Sequence, residues 1–188
     1  LADEIDKICY LLQGRVVPLY EAVEFGVADK FIIRAIAKAN DMKSDEVLKE
    51  FKKVGDLGIA AEQCYHVLEH DNKKKITVGE VFDRLNTLAK EGGIGSQEKK
   101  IDILAGLLKN VDSLSARYLA RIPLDKLRLG FSDMTILDGL SWMVTKDKSL
   151  RPRLEGAYNV LPDIGLIAKT LKKSGITGLS HVHARVGA

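Results

Sequence analysis

The sequence lacks the features of a secreted or membrane-spanning protein. Its only cysteines, Cys9 and Cys64, are too few for a disulfide framework, which suits a reducing compartment. No apolar run is long enough to span a bilayer, and no charged segment followed by an apolar one marks a secretory signal. We therefore expect a cytoplasmic protein, or a nuclear one if the source is eukaryotic.

Motifs for nucleotide or metal chemistry are also scarce. No Gly-x-x-x-x-Gly-Lys-Ser/Thr loop is present, and no Ser, His and Asp set stands out. The spacing Cys64-x-His66-x3-His70 places two histidines on one helix face, but Cys64 does not project with them. Because no second ligand pair follows at a zinc-finger spacing, we expect no metal site.

Positive charge is only in small excess. The 188 residues include 29 Lys and Arg against 26 Asp and Glu, a formal net charge of +3. If the partner is a polyanion, the cations must therefore be concentrated on one surface. Because the chain begins with Leu1 rather than methionine, we expect a processed or excised piece.

Helical periodicity dominates the sequence. Apolar residues recur mostly at three- and four-residue intervals and strand signals are almost absent, so we expect an all-α fold. Ser96 and Ser132 are expected to cap helices, and Trp142 is expected to pack in the core. The predicted helices cover residues 5–12, 18–25, 29–39, 44–53, 55–70, 78–90, a segment from 96, 113–127, 132–145, 150–158 and 163–173.

The two halves of the chain contain similar segments, an internal sequence repeat that is here called the echo. Residues 26–29, followed by an apolar helix, match residues 130–133, also followed by an apolar helix. Two further pairs of segments match in the same order and at nearly the same offset, namely 17–19 with 122–124 and 56–59 with 163–166. We expect a duplicated helical unit folded as two halves about a pseudo-two-fold axis.

The stretch around Gly130 is a candidate phosphate site. Gly130 supplies the backbone freedom of a tight turn, and a helix starts just after it. Lys126 and Arg128 precede the turn, so two cations lead into a set of unpaired helix-start amides that suit a phosphate. The alternative is a simple corner between helices with solvated charges.

Four ordered segments resemble the N-terminal DNA-binding domain of ATP-dependent DNA ligases, most closely the archaeal and eukaryotic replicative type. The segments are Gly55–Gly58 with Ala60–Glu62, Lys99–Leu104, Lys126–Gly130, and Ala157–Val160 with Asp163–Gly165. The resemblance covers nearly the whole chain. It implies that residues 1–179 form a DNA-binding domain and that 180–188 begin a linker to an adenylation domain.

The resemblance also implies a function. The chain would bind nicked duplex across the minor groove without sequence preference, within an enzyme that seals nicks in replication, repair and recombination. Its partners would be the duplex and the catalytic domains of the same enzyme. A sliding clamp is a further candidate partner. The DNA-binding residues that the resemblance implies are Lys53, Gly55, Gly58, Lys99, Lys100, Lys126, Arg128 and Gly130, and the echo adds Gly26 and Lys30.

Acidic residues complicate this interpretation. Asp56, Asp133 and Asp163 lie at the same predicted helix starts, where they favour the helix dipole but would repel phosphate. If the turns bind DNA, these carboxylates must point away from it.

Catalysis is not expected of this chain alone. The family adenylates a lysine in a Lys-x-Asp-Gly motif, but the only Asp-Gly here is Asp138-Gly139, with Ile136 in the lysine position. ATP and magnesium would belong to the parent enzyme, with no cofactor in this chain.

Two other functions fit parts of the sequence. A helical scaffold that binds protein would use an apolar groove and would not respond to charge reversal at Lys126 and Arg128. A sequence-specific helix-turn-helix protein would need base-reading side chains after the Gly130 turn. That helix instead offers Met134, Ile136, Leu137 and Leu140, which we expect in the core.

Overall fold

A computed structural model describes residues 4–65, 76–130 and 132–182 of the chain. Within these ranges every regular element is helical and no strand occurs, which confirms the all-α prediction. The α-helices are α1 (Ile5–Leu12), α2 (Asp29–Ala39), α3 (Ser44–Val54), α4 (Leu57–Cys64), α5 (Val78–Lys90), α6 (Ser96–Leu108), α7 (Ser113–Arg121), α8 (Asp133–Thr145), α9 (Arg151–Val160) and α10 (Ile164–Gly178). Short 3-10 turns follow at Ile122–Leu124 and Leu179–His181.

The helices form two compact units. The central unit, Glu24–Leu127, contains α2 to α7. The flanking unit combines Leu1–Val23 with Arg128–Ala188 and contains α1 and α8 to α10. The two members of the echo, at 26–29 and 130–133, therefore fall in different units. Their pseudo-two-fold relation stays a prediction.

The central unit is built on two helix pairs, α2 with α6 and α4 with α7. Ile32 and Ile36 on α2 are fully buried, as is Leu107 on α6, because apolar residues three or four apart share one helix face. Helices α4 and α7 approach each other closely at a glycine. A Cβ on the buried Gly58 would lie 2.6 Å from the carbonyl oxygen of Arg117.

In the flanking unit, α1 packs on α10, and α8 and α9 contribute to the same core. Gly165 on α10 allows the contact with α1, since a Cβ there would lie 2.3 Å from the Tyr10 ring. Residues of these helices form an apolar core cluster. Its most deeply buried members are Leu137, Leu154, Ile164, Ile167, Ala168 and Leu171.

The helix predicted over residues 18–25 is wrong. This segment forms a turn closed by the Glu21 amide, which donates to the Pro18 carbonyl, and then runs without regular structure to the start of α2. Glu21 and Ala22, three and four residues after Pro18, are exposed, so the segment presents no continuous apolar face of a helix to the core. Val16, Val17 and Phe25 are buried individually rather than along one helix face.

Two smaller expectations are corrected as well. The N-cap of α6 is Gly95, at φ +81°, and not Ser96. Trp142 does not lie in the core: its side chain is 53% exposed, because it projects from α8 on the opposite side from the buried Leu137 and Leu140. Among the described helices, none combines the length and apolar character needed to cross a membrane.

Candidate nucleic-acid interface

The start of α2 is built by a glycine turn, here called the α2 corner (residues 26–30 with Lys100 and Lys126). Gly26 adopts φ +59°, a left-handed conformation that side chains disfavour. Ala28 follows in an extended conformation as the N-cap and provides no side-chain hydrogen bond to the first turn. The helix therefore begins without the side-chain cap that is present at the starts of α4, α5, α7 and α10.

Lys100 lies behind this turn. Its side chain comes from α6 and is 8% exposed, and its ammonium donates to the Phe25 carbonyl at 2.6 Å. A Cβ on Gly26 would lie 3.3 Å from Lys100 Nζ. The predicted site residues Gly26 and Lys100 are thus brought together, but the lysine is buried and bonded to the protein.

Lys126 reaches the α2 corner from a distant part of the sequence. Its Nζ lies 3.5 Å from Oδ1 of Asp29, the first residue of α2, and both side chains are about half exposed. Lys30, the next residue, is exposed. The α2 corner therefore carries two exposed cations and one carboxylate that is paired with one of them.

The start of α4 forms a second corner in the central unit. Gly55 ends α3 at φ +71°, and the Asp56 side chain accepts from the Ile59 amide at 2.9 Å as the α4 N-cap. Lys53 is exposed and pairs with Glu50 at 3.2 Å. Gly58 is buried against α7, so its missing side chain serves helix packing.

Arg121, which the sequence analysis did not select, neutralises this corner. Its Nε donates to Asp56 Oδ1 at 3.1 Å, and the two side chains are 11% and 6% exposed. Its Nη1 also donates to the Leu127 carbonyl at 3.4 Å. The available signal was the spacing of Arg117 and Arg121, which places two cations on one face of α7.

Arg121 therefore orders the segment that carries Lys126. Leu127 is held to Arg121 and through it to the start of α4, whereas Lys126 contacts Asp29 at the start of α2. Lys126 thus contacts the start of α2, and its neighbour Leu127 is linked to the start of α4 through Arg121.

The α8 corner in the flanking unit has the same local build as the α2 corner. Gly130 adopts φ +74°, and Ser132 is an extended N-cap whose side chain makes no capping hydrogen bond. Ala28 and Ser132 share ψ 172°, and each is followed by aspartate at the first helical position. Arg128 is exposed and adopts φ +53°, which is uncommon for a residue with a side chain.

The corner carboxylates of the flanking unit are held by neutral groups. Asp133 accepts from Gln13 Nε2 at 2.9 Å and from the Tyr158 hydroxyl at 2.6 Å. Burial, followed by the hydrogen bond to Asp133, raises the pKa of Tyr158. Asp163 is buried, caps α10 through the Leu166 amide and accepts from the Tyr10 hydroxyl.

The remaining candidate residues are Lys99 and the set of Cys64, His66 and His70. Lys99 is exposed, and its Nζ lies 3.7 Å from Glu91 Oε2. His66 and His70 of the metal candidate lie outside the described residues, and burial raises the pKa of the Cys64 thiol. Across the part of the chain that the structure describes, no group of three or more His, Cys, Asp or Glu could hold a metal ion.

Comparisons with known proteins agree with the resemblance seen in the sequence. Residues 1–141 match the family described as DNA ligase N terminus. The chain is 41% identical over 185 residues to a probable DNA ligase of Dictyoglomus thermophilum, a match that covers 98% of this chain and 31% of that protein. It is 39% identical to DNA ligase 2 of Korarchaeum cryptofilum, covering 97% and 31%, and 40% identical to DNA ligase 2 of Thermofilum pendens, covering 97% and 32%.

The chain thus spans about a third of the length of these relatives. The family match extends over most of the chain and includes the α2 corner, the α4 corner and the α8 corner. This chain belongs to the DNA ligase N-terminus family.

Proposed function

We propose that this chain holds nicked duplex DNA as the DNA-binding domain of an ATP-dependent DNA ligase. The observation that carries the proposal is the shared build of the α2 and α8 corners. Each has a glycine at positive φ, an extended N-cap without a side-chain cap, and exposed cations nearby in the sequence or in space. Helix starts of this kind suit a phosphate, because amides and the helix dipole favour an anion there.

In this proposal the exposed residues touch the DNA backbone. Lys126, Lys30 and Arg128 supply charge, and the backbone at Gly26 and Gly130 allows a close approach. Lys53 with Gly55, and Lys99, extend the contact surface. Contacts to phosphate and sugar position a protein without reading the sequence, which suits an enzyme that must act at nicks in any sequence.

Buried members of the predicted site take supporting roles. Gly58 permits α4 and α7 to pack, which places Arg121 against Asp56. The corner carboxylates are bonded within the protein, so Asp56 and Asp163 point into their own units rather than toward a phosphate.

The activity of the whole enzyme is part of the proposal. The parent would seal nicks in replication, repair and recombination with ATP and magnesium, and would close around the minor groove with its other domains. Residues 1–179 would be the DNA-binding part and 180–188 the start of the link to the adenylation domain. Because no Lys-x-Asp-Gly motif is present, this chain alone should not form the adenylated intermediate.

The helix after the Gly130 turn supports non-specific over sequence-specific binding. Ile136, Leu137 and Leu140 are buried in the flanking-unit core, and Met134 packs against the same core. A recognition helix must present side chains to base edges, so this face of α8 is not available for that role.

A salt series tests the proposal. Binding of the chain to a labelled nicked duplex should be indifferent to sequence, and its affinity should fall linearly with salt in a log–log plot. The double variant Lys126→Glu/Arg128→Glu should lose about two units of slope, since each lost phosphate contact removes about 0.9.

The control is Lys172→Glu/Lys173→Glu, which changes the net charge equally at two exposed positions of α10. We expect it to retain most of the slope. If the wild type ignores duplex at low salt, the proposal fails and the protein scaffold becomes the better account. If both double variants lose slope equally, the corners are not the contact surface.

A further inference from the structure

We propose that Lys100 is a positioning residue for the α2 corner, an inference that rests on the proposed function. Its buried ammonium holds the Phe25 carbonyl so that the Gly26 turn and the start of α2 are set to receive a DNA phosphate. Lys100 itself does not touch the DNA.

The burial of Lys100 separates it from the other predicted cations. Its side chain is 8% exposed, whereas Lys126, Lys30 and Lys99 are exposed. Lysines are almost never buried without a partner, because removing an ammonium from water is costly. The partner here is a neutral backbone carbonyl at 2.6 Å, and the bond joins α6 to a turn 75 residues earlier in the chain.

The same bond explains why the turn needs a lysine. Phe25 is buried, so the folded protein would be destabilised if no donor reached the Phe25 carbonyl. The turn has no regular hydrogen-bonding partner, since the residues between Ala22 and Ala28 form neither helix nor strand. A long side chain from α6 can supply the donor across that gap.

The Lys100 ammonium also lies close to Gly26. A Cβ on Gly26 would lie 3.3 Å from Lys100 Nζ, a tight contact, and the φ of +59° disfavours any side chain. Lysine and glycine thus fix one turn together. Ala28, two residues on, is the N-cap of α2 and makes no side-chain capping bond, so the turn before it is the local support of the helix start.

A double-mutant cycle tests the inference with the 188-residue chain and nicked duplex. Lys100→Met should weaken binding about tenfold or more, because a buried carbonyl loses a charged donor. Gly26→Ala should weaken it similarly. The double variant should be no weaker than the worse single variant, because both changes disturb the same turn.

Lys172→Met removes the same charge from an exposed site and serves as the matched control, with little expected change. A direct phosphate contact by Lys100 predicts instead that the effects of Lys100→Met and Gly26→Ala multiply to about a hundredfold loss. Multiplying effects, or a Lys100→Met variant that binds like the control, would overturn the inference.

A measurement on the wild type covers the case in which Lys100→Met does not fold. The ¹⁵N resonance of the Lys100 ammonium should be visible without DNA, since burial and the hydrogen bond slow its exchange with water. Adding nicked duplex should move the Gly26 amide and the Lys126 ammonium but leave the Lys100 ammonium nearly in place. A shift of Lys100 as large as that of Lys126 would contradict the positioning role.

The two proposals fail in different ways. If the wild type does not bind duplex at all, the proposed function is overturned and this inference with it. If the wild type binds with the expected salt dependence and the Lys100 tests fail, only the positioning role is overturned.

Discussion

Each of four aspartates at the helix starts has an internal partner, and the kind of partner differs between the units. In the central unit, Asp29 pairs with Lys126 and Asp56 pairs with Arg121. In the flanking unit, Asp133 and Asp163 accept hydrogen bonds from tyrosine hydroxyls. All four carboxylates are thus held by the protein, and in the proposed function the half-exposed Asp29 would compete with phosphate for Lys126.

Removing that competition should strengthen DNA binding. In Asp29→Asn, Lys126 no longer spends time in the exposed ion pair, so affinity for nicked duplex should rise about two- to fivefold, the range of a surface pair. The matched control is Asp102→Asn, which frees Lys38 from an exposed pair between α2 and α6. Equal gains in the two variants, measured by titration at one salt concentration, would show that Lys126 has no special position.

Arg121 should matter more for stability than any exposed cation. Arg121→Met leaves the buried Asp56 carboxylate without its charge partner, which should cost about 3–5 kcal/mol in the free energy of unfolding. Lys38→Met breaks an exposed pair and should cost less than about 1 kcal/mol. Urea unfolding of both variants measures the difference, and similar losses would mean that the Asp56–Arg121 pair contributes no more than a surface pair.

At the scale of elements, helix boundaries were predictable where polar and apolar signals agreed. The bounds of α2 and α5 are as predicted, because each is an amphipathic segment with a clear start and end. The segment 18–25 failed because its apolar residues do not share one buried face: Leu19 is 47% exposed, whereas Phe25 is buried. Apolar periodicity over eight residues does not distinguish a short helix from an irregular segment with scattered apolar residues.

Two glycines in helices should respond oppositely to alanine. Gly139 on α8 is exposed and a Cβ would meet nothing within 4 Å, so Gly139→Ala should stabilise the protein by about 0.5–1 kcal/mol. Gly165→Ala would place a Cβ 2.3 Å from the Tyr10 ring and should cost about 1–3 kcal/mol by overpacking. Thermal unfolding measures both changes in stability. A Gly165→Ala variant as stable as the wild type would mean that α1 and α10 are not so closely packed.

The link between α8 and α9 should show a pH-dependent contribution. Hydrogen bonds from Lys148 and then Arg151 lower the pKa of Asp138 below its ordinary value of 3.8. Because the folded pKa is the lower one, the stabilisation is fully present above the ordinary pKa and is lost as pH falls through the folded pKa.

Asp138→Asn should therefore be less stable than the wild type at neutral pH. The difference in urea midpoint should hold down to about pH 4 and shrink below it, as the wild-type carboxylate becomes protonated. A difference that is the same at all pH values would show that the ion pairs of Asp138 do not contribute.

At the scale of the whole molecule, the sequence identified the corners but not how they are supported. The pattern of cations, glycine and apolar helix predicted the turn at Gly130, and the echo extended it to Gly26, since positive φ and helix starts are local properties. The burial of Lys100 and the partners of Arg121 depend on contacts between residues far apart in sequence. Local pattern gives the charge of a side chain but not its exposure.

The small net charge of +3 fits a protein in which only a few cations, those near the corners, would contact DNA. Many basic residues are already paired on the surface, such as Arg34 with Glu98 and Lys38 with Asp102. DNA affinity should therefore depend on a small set of side chains near the corners rather than on overall charge.

The central proposal is that each of the two similar corners contacts duplex DNA. The most direct test is an amide chemical-shift titration of the ¹⁵N-labelled chain with a nicked duplex. We predict that the largest shifts occur at Gly26, Ala28 and Asp29 and, in the same titration, at Gly130 and Ser132. Shifts confined to the exposed Trp142 face of α8, or to one corner only, would contradict the claim.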